Sequence, residues 1–144
     1  MHTHLHLSAE QMLDNAGLRI TAVRLMIYQT ILQRFANPFA LSDIEQALPT
    51  VDRSTLFRNL HALTEAALLH HVDDGSGVQK YCVCHCDNDG HHNGHVHITC
   101  TQCHRTYCLT DVPIPQVPLP KDFMPHEHEY IVKGLCAECQ KASL

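Results

Sequence analysis

Two CxxC pairs constrain this chain more than any other feature. Cys100-Thr-Gln-Cys103 and Cys136-Ala-Glu-Cys139 are separated by 32 residues. Within each pair the thiols are close enough in the chain to face one point, and four thiolates can close tetrahedrally on a zinc ion. An all-thiolate site has no open position, so it stabilises structure and does not activate water. The gap is longer than that of a simple zinc ribbon, which requires the intervening chain to be a folded unit that returns on itself. The bland reading of the same spacing is two disulfides or four buried thiols.

Composition supports the metal reading. The 144 residues include eight cysteines and fourteen histidines against four phenylalanines and no tryptophan, a bias toward transition-metal ligation. The N-terminus lacks a charged n-region followed by an apolar h-region, so a reducing cytoplasmic setting with metal-held thiols is expected. No apolar run approaches the roughly 20 residues needed to span a bilayer, and no membrane association is expected. The formal charge of −5 argues against indiscriminate binding to nucleic acid. It leaves room for a focused arginine surface.

Along the chain, His2, His4 and His6 alternate in a terminus that reads as a disordered tail. Ser8 with Gln11 forms a capping box for a short helix through Asn15, stopped by Gly17. Thr21 caps a second helix with Val23, Ile27, Ile31 and Leu32 on one face, ending at Asn37-Pro38. Ser42 is expected to cap a third helix carrying Ile44, Ala47 and Leu48. Asp52 caps a fourth, Arg53 to Glu65, with Leu56, Leu60 and Leu63 inward. Segments 68–72 and 78–83 then read as strands joined by Asp73-Asp74-Gly75-Ser76-Gly77, a hairpin signal. Helix-turn-helix followed by a hairpin is a winged helix, whose last helix presents its N-terminal residues to the DNA major groove. Those residues are Arg53, Ser54, Thr55, Phe57, Arg58 and Asn59, which supply phosphate donors and base-edge hydrogen bonds. The bland reading of Arg58 is an intrahelical ion pair.

The stretch 84–94 is rich in glycine, asparagine and histidine without periodicity, and reads as a hinge. Beyond it, 95–99 and 105–110 read as strands flanking the first knuckle, and 129–132 as a strand leading into the second. Pro113, Pro115, Pro118 and Pro120 forbid a long helix between them. The expected fold is therefore α+β. It comprises a winged helix-turn-helix domain (1–83), a linker (84–94) and a small α/β dimerisation and metal-binding domain (95–144). The last has too few apolar residues to hold itself together without zinc and a partner subunit.

These residues carry a resemblance. The run Gly17-Leu-Arg-Ile-Thr-Ala-Val-Arg24, the run Ser54-Thr-Leu-Phe-Arg-Asn-Leu60, His95-Val-His-Ile-Thr-Cys100 and both knuckles resemble the ferric uptake regulator superfamily, in order and over nearly the whole chain. The pattern is most like its zinc uptake regulator branch. The resemblance implies a homodimeric, metal-dependent transcriptional repressor that binds a double-stranded DNA operator. By carry-over, Arg19, Thr21 and Arg24 approach the DNA backbone, and Phe57 replaces a tyrosine of the recognition helix, losing a hydroxyl.

The same resemblance places a regulatory metal site at the hinge. Where iron-sensing members carry oxygen ligands, this chain has Cys82 and Cys108, and a histidine ahead of the third helix is missing near Pro38. Thiolate with imidazole favours zinc over ferrous iron. The implied regulatory zinc ligands are His71, Cys82, His95 and His97, with Cys108 as an alternate, and with structural zinc on Cys100, Cys103, Cys136 and Cys139. A third family site is lost in its usual form, because Gly94 and Val96 occupy its positions. Cys84, His85 and Cys86 have no assigned role. Iron or haem sensing, with Fe2+ as the alternative ion, and thiol redox sensing are the rival readings. Enzymatic activity is not expected: there is no HExxH, and the HxE and PCxxC pairing of zinc deaminases is absent.

Overall fold

Hydroxyl and carboxylate caps set where the helices begin. The computed structural model describes residues 7–83, 96–109, 112–126 and 128–142. Helix α1 (Ala9–Asn15) opens on the expected capping box: the Ser8 hydroxyl accepts from the Gln11 N–H at 3.2 Å, and the Gln11 side chain accepts from the Ser8 N–H at 2.9 Å. It ends where Gly17 turns to φ +77°, a conformation only glycine adopts without strain. Helix α2 (Ala22–Arg34) is capped by Thr21, and α4 (Arg53–Glu65) by Asp52, as expected. Hydrogen bonds from the Thr55 hydroxyl and N–H hold the Asp52 carboxyl below its usual range.

Helix α3 (Leu41–Ala47) departs from expectation. Its N-cap is Ala40, not Ser42, and the Asp43 carboxylate accepts the Ala40 N–H at 2.8 Å. The cause lies just upstream, where Phe39–Ala40 forms a two-residue strand, β1, that the sequence did not announce. It pairs with β3 through Phe39↔Tyr81 and Ala40↔Lys80. Strands β2 (Leu69–Val72) and β3 (Lys80–Val83) form the antiparallel wing hairpin, giving the sheet order β1-β3-β2.

The core of this first unit joins Leu13, Ile27, Tyr28, Ile31, Ile44, Leu56, Leu60 and Leu63 to Phe39, Leu69, Tyr81 and Val83. The three leucines of α4 point inward as expected. On α2 the buried face centres on Ile27, Tyr28 and Ile31, so Val23 and Leu32, expected to be inward, remain 39% and 37% exposed. Tyr28 takes the interior position, and burial pushes its phenol up to about 12.

The second unit is a three-stranded sheet of order β5-β4-β6, built from β4 (Val96–Cys100), β5 (Thr106–Leu109) and β6 (Tyr130–Gly134). A short helix, α5 (Ala137–Ala142), follows. That helix was not expected, whereas the described part of the proline-rich segment is free of helix, as four prolines require. The expected hinge, 84–94, lies outside the described residues. The fold is α+β: a winged helix at the N-terminal end and a smaller α/β unit carrying the cysteine pairs.

Leu60 is fully buried and Phe57, one turn earlier, is 52% exposed. Leu60→Ala should destabilise the first unit by about 2–5 kcal/mol, while Phe57→Ala should stay within about 0.5 kcal/mol of the parent, both read by urea denaturation.

Candidate metal centres and nucleic-acid interface

The parallel pairing of β4 with β6 assembles the first metal centre. Its register sets Cys100 opposite Gly134, so the knuckle at the tip of the β4–β5 hairpin meets the one that leaves β6. The ligand atoms of Cys100, Cys103, Cys136 and Cys139 all lie within 4.8 Å of one another, with the Cys103 and Cys136 sulfurs 3.9 Å apart. Zinc–sulfur bonds of about 2.3 Å imply sulfur separations of about 3.8 Å across a tetrahedron. These four residues therefore fit a metal ion, and the donor set is one that zinc takes.

Backbone amides already point at the sulfurs. The N–H groups of Cys103 and Cys136 donate to Cys100 Sγ at 3.5 Å and 3.4 Å, and that of Cys139 donates to Cys136 Sγ at 3.4 Å. These donors pull the Cys100 thiol down to about 5, the Cys103 amide contributing most. Its neighbour responds oppositely: the hydrogen bond with Cys136, with burial behind it, raises Cys139 to about 12. One sulfur ionises readily, and further negative charge beside it is resisted until a cation arrives.

The wing brings a second set of donors into view. Across β2–β3, His70 stands opposite Cys82 and His71 opposite Tyr81. Directly paired residues share a face and adjacent ones do not. A His70 ring nitrogen and the buried Cys82 sulfur thus lie within 4.8 Å of each other. His71, expected as the ligand, faces the other way: it is exposed, its ring centroid lies 5.2 Å from that of Tyr81, and it bonds Gln79. Of the two wing histidines it is His70, not the expected His71, whose ring nitrogen approaches the Cys82 sulfur. A strict period of two counted back from Cys82 through the hairpin register would have found it.

In the second unit His97 is buried on β4, in register with Cys108 on β5. The alternate donor therefore stands beside an expected one. His95 lies outside the described residues, as do Cys84, His85 and Cys86.

The remaining expected residues gather at the starts of α2 and α4. Arg53, Ser54, Phe57 and Arg58 are exposed on α4, opposite the side that buries Leu56, Leu60 and Leu63. Arg53 pairs with Glu45 at 2.7 Å, a surface contact that DNA phosphate can displace. Thr55 bridges Asp52 and Arg58, accepting from Arg58 Nη2 at 3.4 Å. The bland reading of Arg58 thus holds in part: its charge acts on Asp52, and the Thr55 hydroxyl links the two. Thr21 caps α2, its hydroxyl accepting from the Arg24 N–H at 3.1 Å while its own O–H can still donate. Asn59 differs from expectation: only 8% exposed, it bonds Arg24 and the Thr55 carbonyl and turns away from solvent.

Comparison with known proteins adds four likenesses. The model of the ferric uptake regulator family matches residues 15–140. The transcriptional regulator FurA of Mycobacterium tuberculosis is 31% identical over 141 residues, covering 91% of this chain and 88% of that protein. Among solved structures, the ferric uptake regulator of Pseudomonas aeruginosa with manganese aligns at TM-score 0.65 and 15% identity, covering 91% of this chain and 99% of the other. A zinc uptake regulator complexed with zinc and DNA aligns at TM-score 0.61 and 20% identity, covering 94% and 92%.

Zinc uptake by the four-cysteine cluster must displace thiol protons, so its apparent zinc affinity should rise with pH, most steeply below the Cys100 value of about 5 and still rising above it while the other thiols keep their protons. Competition with a chromophoric chelator at about pH 6 and about pH 8 checks this. Cys136→Ser should remove zinc from purified protein by elemental analysis and lower the melting temperature.

Proposed function

This chain belongs to the ferric uptake regulator family of metal-responsive transcriptional regulators, and from that premise we propose that it is a zinc-responsive repressor controlling metal-uptake genes. The observation that carries the zinc assignment is the pairing of His70 with Cys82 across the wing. A buried thiolate beside an imidazole is a donor pair for zinc, whereas oxygen-rich sites suit harder ions.

In this reading His70 and Cys82 from the wing, with His95 and His97 from the C-terminal unit, hold one regulatory ion, and Cys108 is the alternate donor. The bound ion supplies a cross-link between the two parts of the chain. Cys100, Cys103, Cys136 and Cys139 hold the structural zinc and keep β4 and β6 in register. Operator binding then falls to Arg53, Ser54, Thr55, Phe57 and Arg58 on α4, with Arg19, Thr21 and Arg24 gripping the backbone at the start of α2. Phe57 offers apolar contact to a thymine methyl where a hydroxyl would offer a hydrogen bond.

A homodimer supplies the second recognition helix, about one turn of DNA away, roughly 34 Å. The sheet of the second unit supports it. Ile98, Tyr107 and Val132 are in register on one face, with Ile98 37% and Val132 59% exposed. Apolar residues aligned this way on a small sheet call for a covering partner. Like other members of a regulator family, the chain is read as a non-enzyme working in the cytoplasm. Among the described residues no helix is long and apolar enough to cross a membrane.

Iron sensing is the second reading, favoured by the match to the ferric uptake regulator family. Fluorescence anisotropy on the upstream region of its own gene decides between them, using protein that keeps its structural zinc. Binding should appear at far lower free zinc than free ferrous iron under anaerobic conditions; the reverse order makes iron the signal. Cys82→Ser and His70→Ala should each lose the zinc response while retaining structural zinc, and His71→Ala should respond like the parent. Loss of the response in His71→Ala with His70→Ala unaffected would overturn the assignment of the wing ligand.

A further inference from the structure

Asn59 is the one polar residue among the buried side chains of α4. A buried carboxamide is costly unless its donor and acceptor are satisfied. Here Nδ2 donates to the Thr55 carbonyl at 2.9 Å, one turn back in the same helix, which fixes the amide plane. Oδ1 is thereby turned toward α2, where it accepts from Arg24 Nε at 3.0 Å. The Arg24 guanidinium has a second anchor, since Nη1 donates to the Arg19 carbonyl at 3.0 Å. A planar guanidinium held at two of its nitrogens has its orientation set.

Three consequences follow from that geometry. Nη2 remains for an outside acceptor, there being no bond from it among the described residues. Arg24 stands in the first turn of α2, where unpaired backbone N–H groups and the helix dipole already favour an anion. And the anchor comes from α4, the helix whose exposed side carries Arg53, Phe57 and Arg58. Resting on the DNA-binding reading above, we propose that Asn59 is a positioning residue: it does not read bases, but aims the Arg24 guanidinium at a DNA phosphate and ties that contact to the placement of α4.

Phosphate contacts act on all sequences alike and appear in the salt dependence, whereas base contacts appear in sequence preference. Anisotropy titrations with zinc-loaded dimer against the operator and an unrelated duplex, over a series of salt concentrations, separate the two. Asn59→Leu should weaken binding to both duplexes by the same factor, roughly tenfold, and lower the slope of log K against log salt by about one per protomer. Arg24→Gln should do the same, and the double variant should be no weaker than either single one. Additive losses, an unchanged slope in Asn59→Leu, or a changed preference among base-substituted operators would each overturn the proposal. Should Asn59→Leu not melt cooperatively, Arg24→Lys decides, because it keeps the charge but lacks the Nε that Asn59 holds. Losses matching Arg24→Gln support the brace, and parental affinity and slope refute it. Failure of the parent protein to bind the operator at any metal concentration would instead defeat the DNA-binding reading, and this proposal with it.

Discussion

Register between β4 and β6 is the constraint on which the second unit depends. β6 pairs with β4 on the side away from β5, so after β5 the chain must cross the end of β4 to reach it. Four prolines between residues 113 and 120 keep that connection from folding into a helix that would pack on the sheet. Little apolar surface is then left to hold β6 in place: Val132 is 59% exposed and Leu135 44%. Four sulfurs drawn to one point at the strand ends do what burial cannot. A one-residue slip of β6 would move Cys136 by about 3.3 Å, which a closed tetrahedral site does not tolerate. The four cysteines, if they hold one ion, therefore specify the same register that the hydrogen bonds require.

The first unit is organised the opposite way, around an apolar core with its polar groups assigned one by one. Leu56, Leu60 and Leu63 fix the rotation of α4, which leaves Arg53, Phe57 and Arg58 on the outside. Capping then fixes where the helix starts, because Asp52 engages both the N–H and the hydroxyl of Thr55. The Asp52 carboxyl is held below its usual range, so this cap is complete above the ordinary carboxylate range and is lost only as pH falls through the depressed value. A carboxylate beside the proposed DNA-facing surface also repels phosphate, and here its charge is drawn toward Thr55 and Arg58. With a formal charge of −5 over the whole chain, grip on DNA rests on where a few arginines stand.

Much of this was legible in the sequence, for identifiable reasons. Caps are local, so Ser8, Thr21 and Asp52 announced their helices. CxxC spacing is local too, and it marked all four cysteines that the structure brings together. What was missed depended on partners distant in the chain. Strand β1 exists only because Tyr81 and Lys80 lie alongside Phe39 and Ala40, and once it forms, the start of α3 moves to Leu41. His70 and His71 are adjacent and chemically alike; the pairing with β3 alone decides which shares a face with Cys82. Asn59 carried a polar label on a helix expected to meet DNA, and nothing in the local sequence showed that Arg24, 35 residues earlier, would occupy its oxygen.

That parity of β2 also bears on how a metal ion could act as a signal. A ligand shifts a conformational equilibrium only by the difference in its affinity for the two states, and one that binds both equally shifts nothing. Were the proposed regulatory donors all on the second unit, zinc would bind whatever the wing was doing. In the proposed set, drawing His70 and Cys82 from the wing hairpin and His95 and His97 from the C-terminal half of the sequence would make affinity depend on all four reaching one ion. Moving an equilibrium from 1:99 to 99:1 takes roughly 5.5 kcal/mol of differential affinity. Zinc sites with full donor sets reach about 10–16 kcal/mol, so losing half the donors in the open arrangement is enough to supply that difference. The cysteine on β3 strengthens the lever because a thiolate left without its ion is costly to bury, whereas a protonated thiol packs readily. In the metal-free protein Cys82 can therefore revert to a core residue of the wing, and the hairpin keeps its fold while it waits for zinc.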